Sequence, residues 1–196
     1  MIEIARGAEA VIYEDAAKGV VVKDRVRKGY RHPELDAELR SQRTKREANL
    51  LKKLKIPRPN LVESDGKERI VMERIKGEKV REALDKDPKL ARKIGSIVAQ
   101  MHDSHVIHGD LTTSNILIGK DGNLVFIDFG LSFQSHKVED KAVDIHLFKQ
   151  ALESKHFKVY DEALKEFLAG YRKAEGYGEI MKRLEEVEAR GRYRKG

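Results

Sequence analysis

The stretch His108-Gly109-Asp110-Leu111-Thr112-Thr113-Ser114-Asn115, followed by Ile116-Leu117-Ile118 and then by Ile127-Asp128-Phe129-Gly130, decides the reading of this sequence. Asp110, Asn115 and Asp128 are oxygen-bearing residues on loop positions beside two apolar runs, 116–118 and 124–127, which Asp121-Gly122 turns into a hairpin. Mg2+ is a hard ion that takes one or two carboxylates together with phosphate oxygens and water; Asn115 and Asp128 supply such metal ligands. Asp110, on the loop leading into the hairpin, is the candidate catalytic residue, accepting a proton from an incoming hydroxyl or orienting a water. Taken singly, each acid reads equally well as a cap or turn residue. Both motifs in this order, joined by a turn-marked hairpin, carry the inference.

Upstream of this stretch the chain reads as strands at 2–6, 10–13 and 19–24, then a helix at 33–55 with Leu35, Leu39, Leu50, Leu51 and Leu54 on or near its buried face. Pro57 and Pro59 stop that helix, because proline has no amide hydrogen to continue the ladder. Runs 61–64 and 69–75 form a hairpin across Asp65-Gly66. After Gly77 the pattern changes to helices: one starting at Asp87-Pro88 and running to about Ser104, then 140–155 (Val143, Leu147, Phe148, Ala151), 159–174 and 179–190. Strands with one helix precede helices with one hairpin. The fold class is α+β with two unequal lobes: 1–76, a reduced helical part at 77–189, and a basic, flexible tail at 190–196.

The 196 residues suffice for one substantial core or two small lobes sharing a cleft, and 40% hydrophobic content excludes a mostly disordered chain. No apolar run approaches the roughly 20 residues of a membrane span, and Met1-Ile2-Glu3-Ile4 lacks the order of a secretory signal, so the expected location is the cytoplasm. Cysteine is absent, which removes disulfides and thiolate metal sites. A charged fraction of 37% leans towards a heat-adapted source. Of the net charge of +7, Arg190, Arg192, Arg194 and Lys195 carry four, and a second basic cluster comprises Arg25, Arg27, Lys28 and Arg31. Such patches suggest an acidic partner, nucleic acid first, against the plain alternative of solvated chain.

The two central motifs resemble the protein-kinase superfamily, whose catalytic loop reads H-R-D-L-x-x-x-N ahead of D-F-G. The resemblance implies a minimal bilobal kinase-like fold that binds ATP with Mg2+. Val20-Val21-Val22-Lys23 looks like the strand whose lysine holds the α- and β-phosphates. Glu47, in Arg43-Thr44-Lys45-Arg46-Glu47-Ala48, looks like its ion-pair partner, with Glu38 as a competitor on the same helix. Met72, Glu73 and Ile75 sit where kinases have the hinge that meets adenine, and Val11, Val21, Leu117 and Ile127 are candidate walls for the base. Asp144 looks like the buried aspartate that steadies the catalytic loop. Three departures stand out. The phosphate loop has the single glycine Gly7, Gly109 replaces the usual arginine, and no A-P-E segment follows Asp128.

A narrower resemblance covers nearly the whole chain. Gly7-Ala8-Glu9-Ala10, Lys28-Gly29-Tyr30-Arg31-His32-Pro33, Leu35-Asp36, Arg43-Thr44, the 108–115 loop and Arg190-Gly191-Arg192 look like the small atypical PRPK-type kinase family of the KEOPS complex. That resemblance implies a Ser/Thr kinase or ATPase serving threonylcarbamoyladenosine modification of tRNA. The implied partners are a TsaD-type threonylcarbamoyl transferase subunit, other KEOPS subunits and tRNA, with the basic tail as a candidate tRNA contact. The rivals are a small-molecule phosphotransferase, which needs a large helical extension for its substrate, a RIO-type atypical kinase, whose metal loop does not read Asp-Phe-Gly, and a non-catalytic scaffold. The scaffold has no need of the full set Lys23, Glu47, Asp110, Asn115 and Asp128.

Overall fold

The structure, a computed structural model, describes residues 1–192. β1 (Ile2–Arg6), β2 (Ala10–Asp15) and β3 (Val20–Arg25) form an antiparallel meander. Helix α1 (Pro33–Lys53) follows, and β4 (Leu61–Ser64) and β5 (Arg69–Glu73) complete a five-stranded sheet in the order β1-β2-β3-β5-β4. Pro33 suits the first turn of α1, where an amide hydrogen has no partner, and Glu34 and Asp36 complement its positive end. Between β4 and β5 the Asp65 carboxylate accepts the amides of Lys67, Glu68 and Arg69 at 2.8–3.0 Å, and Gly66 supplies a positive φ of 67°.

The face that α1 buries is polar as well as apolar. Leu35, expected near the core, is exposed, whereas Asp36 is fully buried and Thr44 and Glu47 lie beside Leu50 and Leu51. Asp36 takes the inner position because its carboxylate accepts the Lys28 amide (3.1 Å) and the Arg40 guanidinium (2.8 Å). A carboxylate so satisfied can be buried where an unpartnered one cannot.

β6 (Gly77–Lys79) leads into the short helix α2 (Val80–Ala83), which precedes α3 (Leu90–Asp103). β7 (Val106–Ile107) ends at the loop of His108. β8 (Ile116–Gly119) and β9 (Leu124–Phe126) make the expected hairpin, with β6 on the outer edge of β8. Gly77 permits that pairing, since a Cβ there would collide with the Ile118 carbonyl. β10 (Phe133–Gln134) pairs with β7, and α4 (Val138–Lys155), α5 (Tyr160–Tyr171) and α6 (Tyr177–Arg192) follow. The α-helix expected from Asp87-Pro88 starts at Leu90, after a turn in which the Lys89 amide donates to Asp87 (3.2 Å).

α3 and α5 pack so closely that Cβ atoms at Gly95 and Gly170 would strike the carbonyls of Phe167 and Arg92. Beneath them Phe148 stacks on Phe167 with ring centroids 4.4 Å apart. α4 turns Ala142, Asp144, Ile145, Phe148 and Leu152 inward and leaves Val143 exposed, contrary to expectation. Asp144 holds the core position because its carboxylate has several partners. Ile70 of β5 and the buried apolar residues of α1 and the segment after it join those of the helical part in one continuous core. No helix among the described residues is long and apolar enough to cross a membrane.

Candidate active site

Strand alternation places Lys23 and Arg25 on one face of β3, with Ile12 and Ala10 directly opposite them on β2. Lys23 Nζ donates to Glu47 Oε1 at 2.8 Å and to Asp128 Oδ1 at 2.6 Å. Burial alone would lower the Lys23 pKa, but the charges of Glu47 and Asp128 outweigh it and raise it above its ordinary value. Glu38, the sequence competitor of Glu47, is exposed and accepts a bond from Gln42. Val11 pairs with Asp24 and so lies on the opposite face. Ile12, not Val11, therefore faces the cleft, because the strand's phase is fixed by register and not by apolarity. Val21 shares the Lys23 face and opposes Met72.

Asp128 has a left-handed backbone (φ 62°), unusual for a residue with a side chain, and its Oδ1 also takes the Gly130 amide at 3.3 Å. Burial pushes its carboxyl up, but the neighbouring Lys23 ammonium more than reverses this and holds it below the usual carboxylate range. Oδ2 takes no part in these bonds, and the side chain is half exposed to the cleft. Asn115 Nδ2 donates to the Asp110 carboxylate (2.8 Å) and carbonyl (2.9 Å), which leaves its amide oxygen as a ligand. The described residues contain no cluster of three or more His, Cys, Asp or Glu able to hold a metal by themselves. One carboxylate oxygen and one amide oxygen, completed by phosphates and water, fit the habits of Mg2+.

The loop around Asp110 is fixed from below. Asp144 accepts the His108 amide (2.8 Å) and the Gly109 amide (2.9 Å) and also faces His102 Nε2 (3.1 Å). Burial would raise the Asp144 carboxyl, but His102, then His108, hold it below the ordinary range. Tyr171, whose phenol is pushed up mainly by burial, lies 2.7 Å from His102 Nδ1 and donates to it, so Nε2 carries the proton given to Asp144. His108 Nδ1 accepts the Asp110 amide (3.3 Å), so its Nε2 donates to the Ile127 carbonyl (3.2 Å). Ser132 Oγ donates to the His108 carbonyl at 2.7 Å. Thr113 is tied to buried His156 (2.9 Å), which contacts Asp85 (2.5 Å).

A cleft of about 340 Å3 opens beneath the β1–β2 loop, lined by Gly7, Ala8, Ile12, Lys23, Arg25, Arg43, Asp110 and Asp128 among others. The loop is stapled by its neighbours. Gly7 N–H donates to the Ala10 carbonyl (2.9 Å), Lys28 Nζ reaches the Ala8 carbonyl, and Arg43 pairs with Glu9. The cluster Arg25, Arg27, Lys28 and Arg31 is therefore not one solvated patch. Arg25 is buried against Glu47, and Arg31 lies 3.7 Å from Glu9. Arg25, expected in a basic patch for an acidic partner, lines the cleft instead, two residues from Lys23 in a period-two strand.

At the other end, Met72 and Ile75 are half-buried, and the Glu73 carboxylate is held by Asn60 at 2.8 Å. Leu117, half-buried on β8, opposes Val125 and Lys79. α6 continues through the start of the expected flexible tail to Arg192, and Arg190 pairs with Glu139 at 3.0 Å. Arg194 and Lys195 lie outside the described residues.

Residues 32–162 match the family model of the ABC1 atypical kinase-like domain. The chain is 41% identical to KEOPS complex subunit Bud32 of Pyrococcus abyssi, over 97% of this chain and 96% of that protein. It is 36% identical to the probable serine/threonine-protein kinase BUD32 homolog of Archaeoglobus fulgidus, over 98% and 96% of the two chains. A probable bifunctional tRNA threonylcarbamoyladenosine biosynthesis protein of Methanothermobacter thermautotrophicus is 42% identical over 97% of this chain, which spans 36% of that longer protein.

Proposed function

The chain belongs to the Bud32 family of KEOPS kinase subunits involved in tRNA threonylcarbamoyladenosine biosynthesis, and we propose that it cleaves Mg·ATP at the Lys23–Asp110–Asn115–Asp128 site. The observation that carries the reading is the bridge made by Lys23, bonded at once to Glu47 and to Asp128. A buried ammonium held at the junction of α1 and the metal loop has its charge aimed where a nucleotide's phosphates would lie.

In this reading Lys23 binds the α- and β-phosphates, and Glu47 keeps the lysine aimed. Gly7 lets the stapled loop turn over the phosphates, while Met72, Glu73, Ile75 and Leu117 border the adenine. Asn115 and Asp128 would hold the cation, and Mg2+ bound there would supply positive charge against the phosphates. Asp110, steadied by Asn115, orients the attacking hydroxyl of water or of a serine and accepts its proton as the γ-phosphoryl group leaves ADP. Residues 1–76 act as the roof of the site and 77–189 as its floor.

The partners we infer are a TsaD-type transferase, the other KEOPS subunits and tRNA, met in the cytoplasm. The support is the bifunctional relative, in which a Bud32-like segment shares one chain with further sequence devoted to the same modification. The basic tail from Arg190 through Arg192, Arg194 and Lys195 is the segment we assign to tRNA phosphates. The test is Mg-dependent ATP turnover by wild type and Asp110→Ala. A loss of roughly 10²–10⁴-fold supports the reading, and equal turnover removes it.

A further inference from the structure

Arg25 is the cleft residue to which the kinase-like pattern gives no part. It follows Lys23 by two positions on β3, shares its face, and its side chain is 3% exposed. Its Nη2 donates to Glu47 Oε2 at 2.5 Å, while Lys23 holds Oε1 of the same carboxylate at 2.8 Å. Its Nε donates to Thr44 Oγ1 at 3.2 Å, one turn before Glu47 on the same face of α1. Gly130 leaves room for the arrangement. A Cβ there would lie 3.1 Å from Lys23 Nζ and 3.2 Å from Arg25 Nη2.

We propose that Arg25 is a positioning residue for the ATP reaction, neutralising Glu47 so that Lys23 can give its charge to the phosphates; this rests on the ATP-site reading above. Two cations, Lys23 and Arg25, balance two anions, Glu47 and Asp128, along the cleft. Once Asp128 serves the nucleotide's cation, Lys23 turns to phosphate. If Arg25 were absent, Glu47 would then share its one remaining partner, Lys23, with a polyanion and stand as an under-paired buried carboxylate, an arrangement of high energy. With Arg25 present, Glu47 keeps a partner throughout, and α1 stays docked through Thr44. The assembled site then needs no phosphorylated activation segment, for which Gly109 in any case leaves no arginine.

The test measures the affinity of Mg·ADP by calorimetry on the full-length protein, with thermal melting of every variant. Arg25→Met leaves a net negative cleft and is expected to weaken binding roughly tenfold or more. Arg25→Lys keeps the positive charge beside Glu47 and should recover most of that loss, which a residue needed only for packing would not allow. Thr44→Val keeps size but removes the bond aiming the guanidinium, with an expected weakening of about threefold. This second variant decides the matter if Arg25→Met fails to fold. Unchanged affinity in folded Arg25→Met or in Thr44→Val, or an Arg25→Lys variant no tighter than Arg25→Met, overturns the proposal. Absence of Mg·ADP binding by the wild type would instead overturn the ATP-site reading.

Discussion

Asn115 clamps Asp110: its amide nitrogen lies 2.8 Å from the Asp110 carboxylate and 2.9 Å from the Asp110 carbonyl, across one turn of the loop. In the proposed site, the residue that would offer its oxygen to the cation uses its nitrogen to hold Asp110. Asn115→Ala should therefore lower kcat for ATP turnover by about 100-fold, because a misplaced catalytic group costs that much even when it is present. It should also raise the Mg2+ concentration needed for half-maximal rate. A Mg2+ titration of turnover checks both; a changed Mg2+ requirement with kcat intact would separate the two roles.

Gly109 adopts φ 78°, and a Cβ there would lie 2.5 Å from the Leu131 carbonyl. The glycine is required by the loop's conformation and by the close passage of residue 131. Gly109→Ala should cost about 2 kcal/mol or more in stability. Gly109→Arg should not produce an ordinary kinase loop. Chemical denaturation reads the cost, and a neutral alanine variant would show that the loop relaxes freely.

The carboxyls of Asp128 and Asp144 are both held below the ordinary range in the folded protein. A depressed folded-state value means that each contributes stability in full above the unfolded value of about 3.9 and loses it as pH falls towards the folded value. Stability should therefore drop as the protein is acidified below about pH 4. In Asp144→Asn the slope should become shallower, and the starting stability should fall by about 3 kcal/mol, since the new NH2 must face either the His108 or the Gly109 amide, donor against donor. Denaturant melts from pH 3 to 6 measure both effects; an unaltered slope would exclude Asp144 as a source.

Gly95 and Gly170 allow α3 and α5 to touch backbone to backbone, each opposite a carbonyl of the other helix. Neither carbonyl can retreat without moving its helix. Gly95→Ala and Gly170→Ala should each destabilise by about 3 kcal/mol, against the usual gain from alanine in a helix. Thermal melts decide between these signs.

That Asp110, Asn115 and Asp128 come together at one cleft was legible because polar residues ordered as His108-Gly109-Asp110, Asn115 and Asp128-Phe129-Gly130 have few other reasons to stand beside apolar runs. The pairing of Lys23 with Glu47, and not with Glu38, was also readable from the Arg43-Thr44 setting. Less legible was anything resting on strand phase or on a buried charge. Val11 and Ile12 are equally apolar, and only the pairing of Ile12 with Lys23 reveals which one faces the cleft. Asp36 occupies a core position that a hydrophobic pattern assigns to Leu35, because a carboxylate with enough partners can be buried, whereas the burial of Asp144 was expected from the resemblance and only the exposure of Val143 was not. β7 and β10 have two residues each, too few to show any period.

The central claim, that Asp128 and its neighbours cleave Mg·ATP in the service of tRNA modification, is tested most directly in a reconstituted assembly. ATP turnover and threonylcarbamoyladenosine formation are measured together with tRNA and the TsaD-type partner, using wild type and Asp128→Ala. The expected result is tRNA- and partner-stimulated turnover by the wild type, with both readouts reduced on the order of 100-fold or more in the variant. Equal ATP turnover by Asp128→Ala and wild type would contradict the account.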